Sequence, residues 1–93
     1  MNTPLYEASR EGHTDAIRLL IDAGAVINKK DEWGQTPLHM TSLYGHVDAI
    51  QLLIDAGANI NEKDEFEWTP LRWASKMDHT DAVQLLKSHR AHE

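Results

Sequence analysis

Apolar residues along this chain follow a helical rhythm, and the rhythm recurs in pairs of segments. Over Thr14–Asp22, Ala16, Ile17 and Leu20, with Ala23 just beyond, recur at helical spacing, while Arg18 and Asp22 fall on the opposite side. A shorter helix is predicted ahead of it, from about Leu5 to Glu11, ending at Gly12; Gly45 ends its successor. Laid over itself with a shift that carries Thr3 onto Thr36 and Thr36 onto Thr69, the chain divides into Thr3–Gln35, Thr36–Trp68 and a shortened Thr69–Glu93. The first two copies agree at roughly two-thirds of their positions, and a period in this range marks a stacked repeat array. Two short helices and a turn cannot bury both apolar faces alone, so the copies must stack on one another.

Start and stop signals support this division. Each copy opens Thr-Pro-Leu (Thr3-Pro4-Leu5, Thr36-Pro37-Leu38, Thr69-Pro70-Leu71). Threonine is a good N-cap, because its hydroxyl accepts from unpaired first-turn amides. Proline suits the next position, where its missing N–H would have had no partner. Asp15, Asp48 and Asp81 lie in the first turn of the second helices, where the helix dipole favours negative charge. Gly24 and Gly57 follow those helices as left-handed caps. The link Ala25–Gln35, with Ile27, Asn28, Asp31 and Gly34, reads as an extended segment and a tight turn.

Thr36-Pro37-Leu38-His39, Gly45-His46, Leu52-Leu53, Gly57-Ala58 and Asn61, each with partial echoes in the other copies, resemble the ankyrin repeat. The resemblance covers nearly the whole chain at the family's period. It implies one all-α domain over residues 1–93, built from repeats 3–35, 36–68 and 69–93. In such a solenoid three helix-turn-helix units stack in an L shape, with short β-turn tips projecting on one side. The ends read as caps. Glu7 stands where Met40 and Trp73 stand later, a position that packs on the preceding repeat; Lys87 replaces Ile21 and Ile54, and Arg90 replaces glycine. Polar outer faces keep repeat arrays soluble, so the chain is expected to be complete. His13, His46 and His79 match a scaffold feature of the family. His39 alone keeps the family histidine that ties adjacent turns, since Tyr6 and Arg72 replace it. Glu67 replaces the turn glycine Gly34, so the second turn is either strained or differently shaped. Asp78 replaces the glycine ending the first helix of the third copy, which departs most from the pattern and is expected to fray first.

All six aromatic residues (Tyr6, Trp33, Tyr44, Phe66, Trp68 and Trp73) fall at positions where the copies disagree. Faithfully repeated positions build the scaffold, whereas varied ones are free to serve recognition, and Trp and Tyr dominate interface hot spots. The candidate protein-binding residues are Glu32, Trp33 and Gln35 on one turn tip, and Glu65, Phe66, Glu67 and Trp68 on the next. Leu43, Tyr44, Lys76 and Met77 join them from the ends of the inner helices. In ankyrin-like proteins such positions line the concave recognition surface, and they match those varied in designed ankyrin binders. The alternative for the tip aromatics is packing on one another along the row of turns. Trp73 and Met40 are assigned to stacking between repeats, and Tyr6 fits either role.

Composition narrows the function further. With no cysteine in 93 residues, disulfides, thiolate zinc sites and thiol catalysis are excluded. Asp plus Glu outnumber Lys plus Arg fifteen to nine, a net charge of −6 that argues against a nucleic-acid backbone as partner. A neutral or basic protein surface fits better. No apolar run approaches the roughly 20 residues that span a bilayer, and Met1-Asn2-Thr3-Pro4 does not open a secretory signal. A natural chain of this kind is expected in the cytoplasm. His89 and His92 share no carboxylate or thiolate at defined spacing, so neither a metal nor another cofactor is expected. His39 and Ser42 lie near each other without an orienting acid, and no glycine-rich phosphate loop is present; the chain does not read as an enzyme. A module binding another folded protein is the leading expectation. Self-association through the same aromatic face and a bare stability scaffold are the alternatives. Compact caps and aromatics at variable positions also suit an engineered binder, whereas differences at Ala8, Thr41 and Ala74 suit a natural fragment.

Overall fold

The computed structural model describes residues 2–92. Among these residues six helices form three successive pairs: α1 (Pro4–Glu11) with α2 (Thr14–Asp22), α3 (Pro37–Leu43) with α4 (Val47–Asp55), and α5 (Pro70–Lys76) with α6 (Thr80–Ser88). Among the described residues there is no strand. The pairs stack in two rows, with α1 on α3 and α3 on α5 in one, and α2 on α4 and α4 on α6 in the other. The whole measures 30 × 25 × 20 Å.

Local sequence explains each helix start. The hydroxyls of Thr3, Thr36 and Thr69 accept from the amides of Tyr6, His39 and Arg72 at 3.1, 3.4 and 3.2 Å. Proline occupies the first helical position each time, one residue earlier than the predicted start at leucine. The second helices begin at His13, His46 and His79 without a side-chain cap. Two of these histidines do scaffold work instead. Nε2 of His46 donates to the Arg10 carbonyl at 3.0 Å, and Nε2 of His79 donates to the Leu43 carbonyl at 2.9 Å, each reaching back one repeat.

The core runs along the stack rather than inside any one repeat. Leu5, Leu38 and Leu71 from the inner row meet Ile17, Ile50, Leu53 and Leu86 from the outer row, all of them at most 2% exposed. Tyr6 is buried, and its hydroxyl donates to Asp31 Oδ2 at 2.6 Å. It therefore replaces the missing histidine tie with a bond into the following turn. His39 keeps the expected tie: Nε2 donates to the Trp68 carbonyl at 3.0 Å while Nδ1 accepts from the Thr36 amide at 3.1 Å. In the third repeat the Thr69 hydroxyl donates to the His92 carbonyl at 2.7 Å.

The C-terminal end is polar, with Lys87 and Arg90 exposed. The N-terminal end departs from the expected cap. Glu7 is polar and ion-paired to Arg10 at 2.8 Å, but Leu19 is 70% and Val26 68% exposed. Only the α1 side of that face carries the polar substitution; the α2 side keeps the residues of an interior repeat.

Candidate functional site

Two aspartates shape the turn tips. Asp31 Oδ1 accepts from the amides of Trp33 and Gln35, both at 2.8 Å, and Asp64 Oδ1 accepts from those of Phe66 and Trp68, both at 2.9 Å. An aspartate that bonds the backbone two residues on fixes a turn without help from neighbours. The turns also bond to each other, Glu65 N–H to the Trp33 carbonyl at 2.9 Å and Gln35 Nε2 to Asp64 Oδ2 at 3.1 Å. Gly34 and Glu67 hold φ of 74° and 64°, so the second turn keeps the shape of the first and Glu67 carries left-handed strain.

Trp33 and Phe66 sit at equivalent places on these tips. Their rings stack at 6.4 Å with planes 25° apart, yet each remains about half exposed, at 51% and 55%. The alternative reading, packing along the row of turns, therefore describes this pair, although it does not bury them. They pack on one another and still present an open apolar ridge. Glu32, Glu65 and Glu67 are exposed beside it, and none of the three forms an ion pair among the described residues.

Trp68 and Gln35 are placed differently. Trp68 is half-buried, its ring 4.4 Å from that of Trp73 and 4.5 Å from the guanidinium of Arg72. Trp73 in turn donates from Nε1 to Asp64 Oδ2 at 2.7 Å, the backward contact between repeats expected of it. Gln35 is only 8% exposed, and its amide is spent on Asp64. It belongs to the seam between turns and not to an outward-facing tip.

The remaining candidates form a second patch. Tyr44 and Met77 stand at equivalent C-caps of α3 and α5, each 48% exposed, next to half-buried Leu43 and exposed Lys76. Since α3 has seven residues, this patch lies on the order of 10 Å along the helix from the turn tips. Tyr44 stacks on His46 with ring centres 6.3 Å apart.

Charge states follow from these contacts. Burial alone would raise the Asp64 carboxyl, but hydrogen bonds from Trp73, Trp68, Gln35 and Phe66 together hold it below the usual value. Burial pushes the Tyr6 hydroxyl well above its ordinary value, helped by its bond to the Asp31 carboxylate. Burial lowers His39, against the bond to the Trp68 carbonyl that favours its charged form. Among the described residues, no cluster of three or more His, Asp or Glu is placed to hold a metal. No described helix is long and apolar enough to cross a membrane.

Sequence reasoning missed the two aspartates as organisers of the tips, although an aspartate two residues ahead of each tip aromatic was visible in both copies. It also missed the bare Leu19, because that position matches the repeat pattern (Leu52, Leu85) and drew no notice, and the bare Val26, which stands where the later copies have Asn59 and His92.

A family model of ankyrin repeats, in three copies, matches residues 5–93. Among curated proteins no match is found.

Proposed function

The chain belongs to the ankyrin repeat family, whose repeats are generally protein-interaction modules and typically not enzymes, and we propose that it binds a folded protein through the Trp33–Phe66 ridge. The observation that carries this reading is the stacked, half-exposed pair itself. Aromatic anchors supply large contact area at small entropic cost when their backbone is already ordered. Here Asp31 and Asp64 order it before any partner arrives. Unpaired Glu32, Glu65 and Glu67 favour a neutral or basic surface on that partner. The patch at Tyr44, Met77 and Lys76 extends the contact along the inner helices. Aromatics concentrated at positions that vary between copies fit an engineered binder as well as a natural module.

A partner recovered on the immobilised chain supplies the test. Trp33→Ala should weaken its binding by about 2 kcal/mol or more, with little change in the unfolding midpoint. Trp68→Ala should do the reverse, lowering stability through the lost packing on Trp73 and Arg72. If Trp33→Ala costs stability and leaves affinity intact, the ridge is packing and the site is lost. Without partner the chain is expected to sediment as a monomer; a dimer that dissociates on Phe66→Ala would replace the foreign partner by a second copy.

A further inference from the structure

The two turn tips carry charge of one sign. Each turn is closed by a backbone bond, from the Asp31 amide to the Gln35 carbonyl at 2.8 Å and from the Asp64 amide to the Trp68 carbonyl at 3.0 Å. Within those closures stand Glu32-Trp33-Gly34 on one tip and Glu65-Phe66-Glu67 on the other. Trp33 and Phe66 are thus flanked by three exposed glutamates, and the tips themselves hold no cation. Lys29, Lys30 and Lys63 stand outside the closures, and Lys30 is already paired with Glu62 at 3.1 Å. Among the described residues the three glutamate side chains have neither an ion pair nor a hydrogen bond.

Such a ridge selects its occupant by charge as well as by apolar area. Apolar surface broad enough to cover the rings also covers the carboxylates beside them, and a carboxylate taken from water without a counter-charge is costly. A second copy of this chain, ridge against ridge, brings its own glutamates to the same place, where like charges oppose the contact. A cation on the partner removes both costs, and the rings favour one kind. The guanidinium of arginine is planar and weakly hydrated, lies flat on an aromatic face and pairs with a carboxylate through two N–H groups at once. The chain already makes the first half of this contact. The guanidinium of Arg72 lies 4.5 Å from the ring centre of Trp68, and Arg72 is exposed with no ion pair among the described residues. Trp33 and Phe66 offer open rings with carboxylates added.

We propose that the Trp33–Phe66 ridge receives an arginine side chain of its protein partner, the guanidinium lying on the aromatic rings with Glu32, Glu65 and Glu67 around it. This rests on the ridge being the binding surface, as proposed above, and narrows the neutral or basic surface of that reading to a basic one.

A short glycine-serine peptide with one central arginine is the probe, alongside its lysine and citrulline versions. Citrulline keeps the shape of arginine and removes its charge. Titrated into the full chain and followed by NMR, the arginine peptide should shift the Trp33 indole N–H and the amides of Glu65 and Glu67 saturably. It should bind at least about threefold more tightly than the lysine peptide, and the citrulline peptide should leave those signals in place. Glu32→Gln, Glu65→Gln and Glu67→Gln together, all at exposed side chains, should weaken the arginine peptide by at least about fivefold. Trp33→Leu should erase the preference for arginine over lysine. Equal binding of the arginine and citrulline peptides overturns the proposal, as does an arginine peptide that shifts only Trp68 and Trp73, or none of these signals. The partner recovered on the immobilised chain separates this failure from failure of the ridge. If Trp33→Ala weakens that partner while the triple glutamine variant binds it as well or better, the ridge is a binding surface but arginine is not what it receives. If Trp33→Ala leaves that partner unaffected, the ridge and the arginine site fall together.

Discussion

Glu67, Asp78 and Arg90 hold left-handed backbone, with φ of 64°, 59° and 68°, and each is the last occurrence of a position that is glycine earlier in the chain. The glycines show why. A Cβ on Gly45 would lie 2.6 Å from Nδ1 of His79, and one on Gly12 would lie 2.5 Å from Nδ1 of His46. At Gly34 a Cβ would come within 3.1 Å of the Glu65 amide nitrogen. These three glycines clear room for the repeat that follows, and among the described residues Asp78 and Glu67 have no following repeat against them; Gly24 and Gly57, the counterparts of Arg90, meet nothing within 4 Å, so no such clearance explains that position. The sequence made Glu67 legible as a broken rule, but the choice between strain and a reshaped turn depended on that missing neighbour. Two outcomes are expected from chemical denaturation. Glu67→Gly should stabilise the fold by about 0.5–1 kcal/mol, because only the backbone penalty is relieved. Gly45→Ala should cost more than Gly57→Ala, since both meet the left-handed penalty of about 1 kcal/mol but only Gly45 also collides with a ring. Equal costs at the two glycines would mean that the His79 ring moves aside freely.

At the level of single elements, the helices were the most legible part of the chain. Thr-Pro-Leu placed α1, α3 and α5 to within a residue, and the apolar spacing with Gly24 placed α2, because capping and periodicity are local signals. The variable aromatics were less legible. Trp33 and Trp68 fall near the same turn in successive copies, yet one is half exposed and the other lies against Trp73 and Arg72. Sequence position gives the tip, whereas burial depends on the first turn of the next helix. The same dependence across elements makes α3 sensitive to pH. His39 caps its own helix start by accepting from the Thr36 amide at Nδ1, which only the neutral ring can do. Its pKa is lowered by burial from the ordinary 6.5. A histidine with a depressed folded pKa contributes fully above its unfolded value, and that contribution is lost as pH falls below about 6.5 toward the folded pKa. Unfolding midpoints should therefore decline between neutral and mildly acidic pH. His39→Gln should flatten that dependence while lowering stability at pH 7; an unchanged slope would assign it to the exposed histidines instead.

Across the whole molecule, stability in a stacked array is a sum of repeat and interface contributions, so position in the stack decides protection. The central pair α3–α4 has a neighbour on both sides, and Leu38, Ala49, Ile50 and Leu53 are all at most 1% exposed. Among the described residues each outer pair has one neighbour only. The two ends nevertheless differ in a way the residue types alone did not reveal. The first repeat keeps interior-type residues on its bare side, whereas the third has traded them for Lys87 and holds Asp78 and Arg90 in left-handed backbone. Val83 also stands where Ile17 and Ile50 fill the core, and it is half-buried where they are fully buried. Each difference weakens the C-terminal pair relative to the N-terminal one. Native-state hydrogen exchange should accordingly be slowest at the amides of Ile50 and Leu53, intermediate in α2, and fastest in α6, the last separated by local opening at low denaturant. Uniform protection across all three pairs would show that the stack opens as one unit. Faster exchange in α2 than in α6 would show that the uncovered Leu19 face weakens its end more than the substitutions weaken the other.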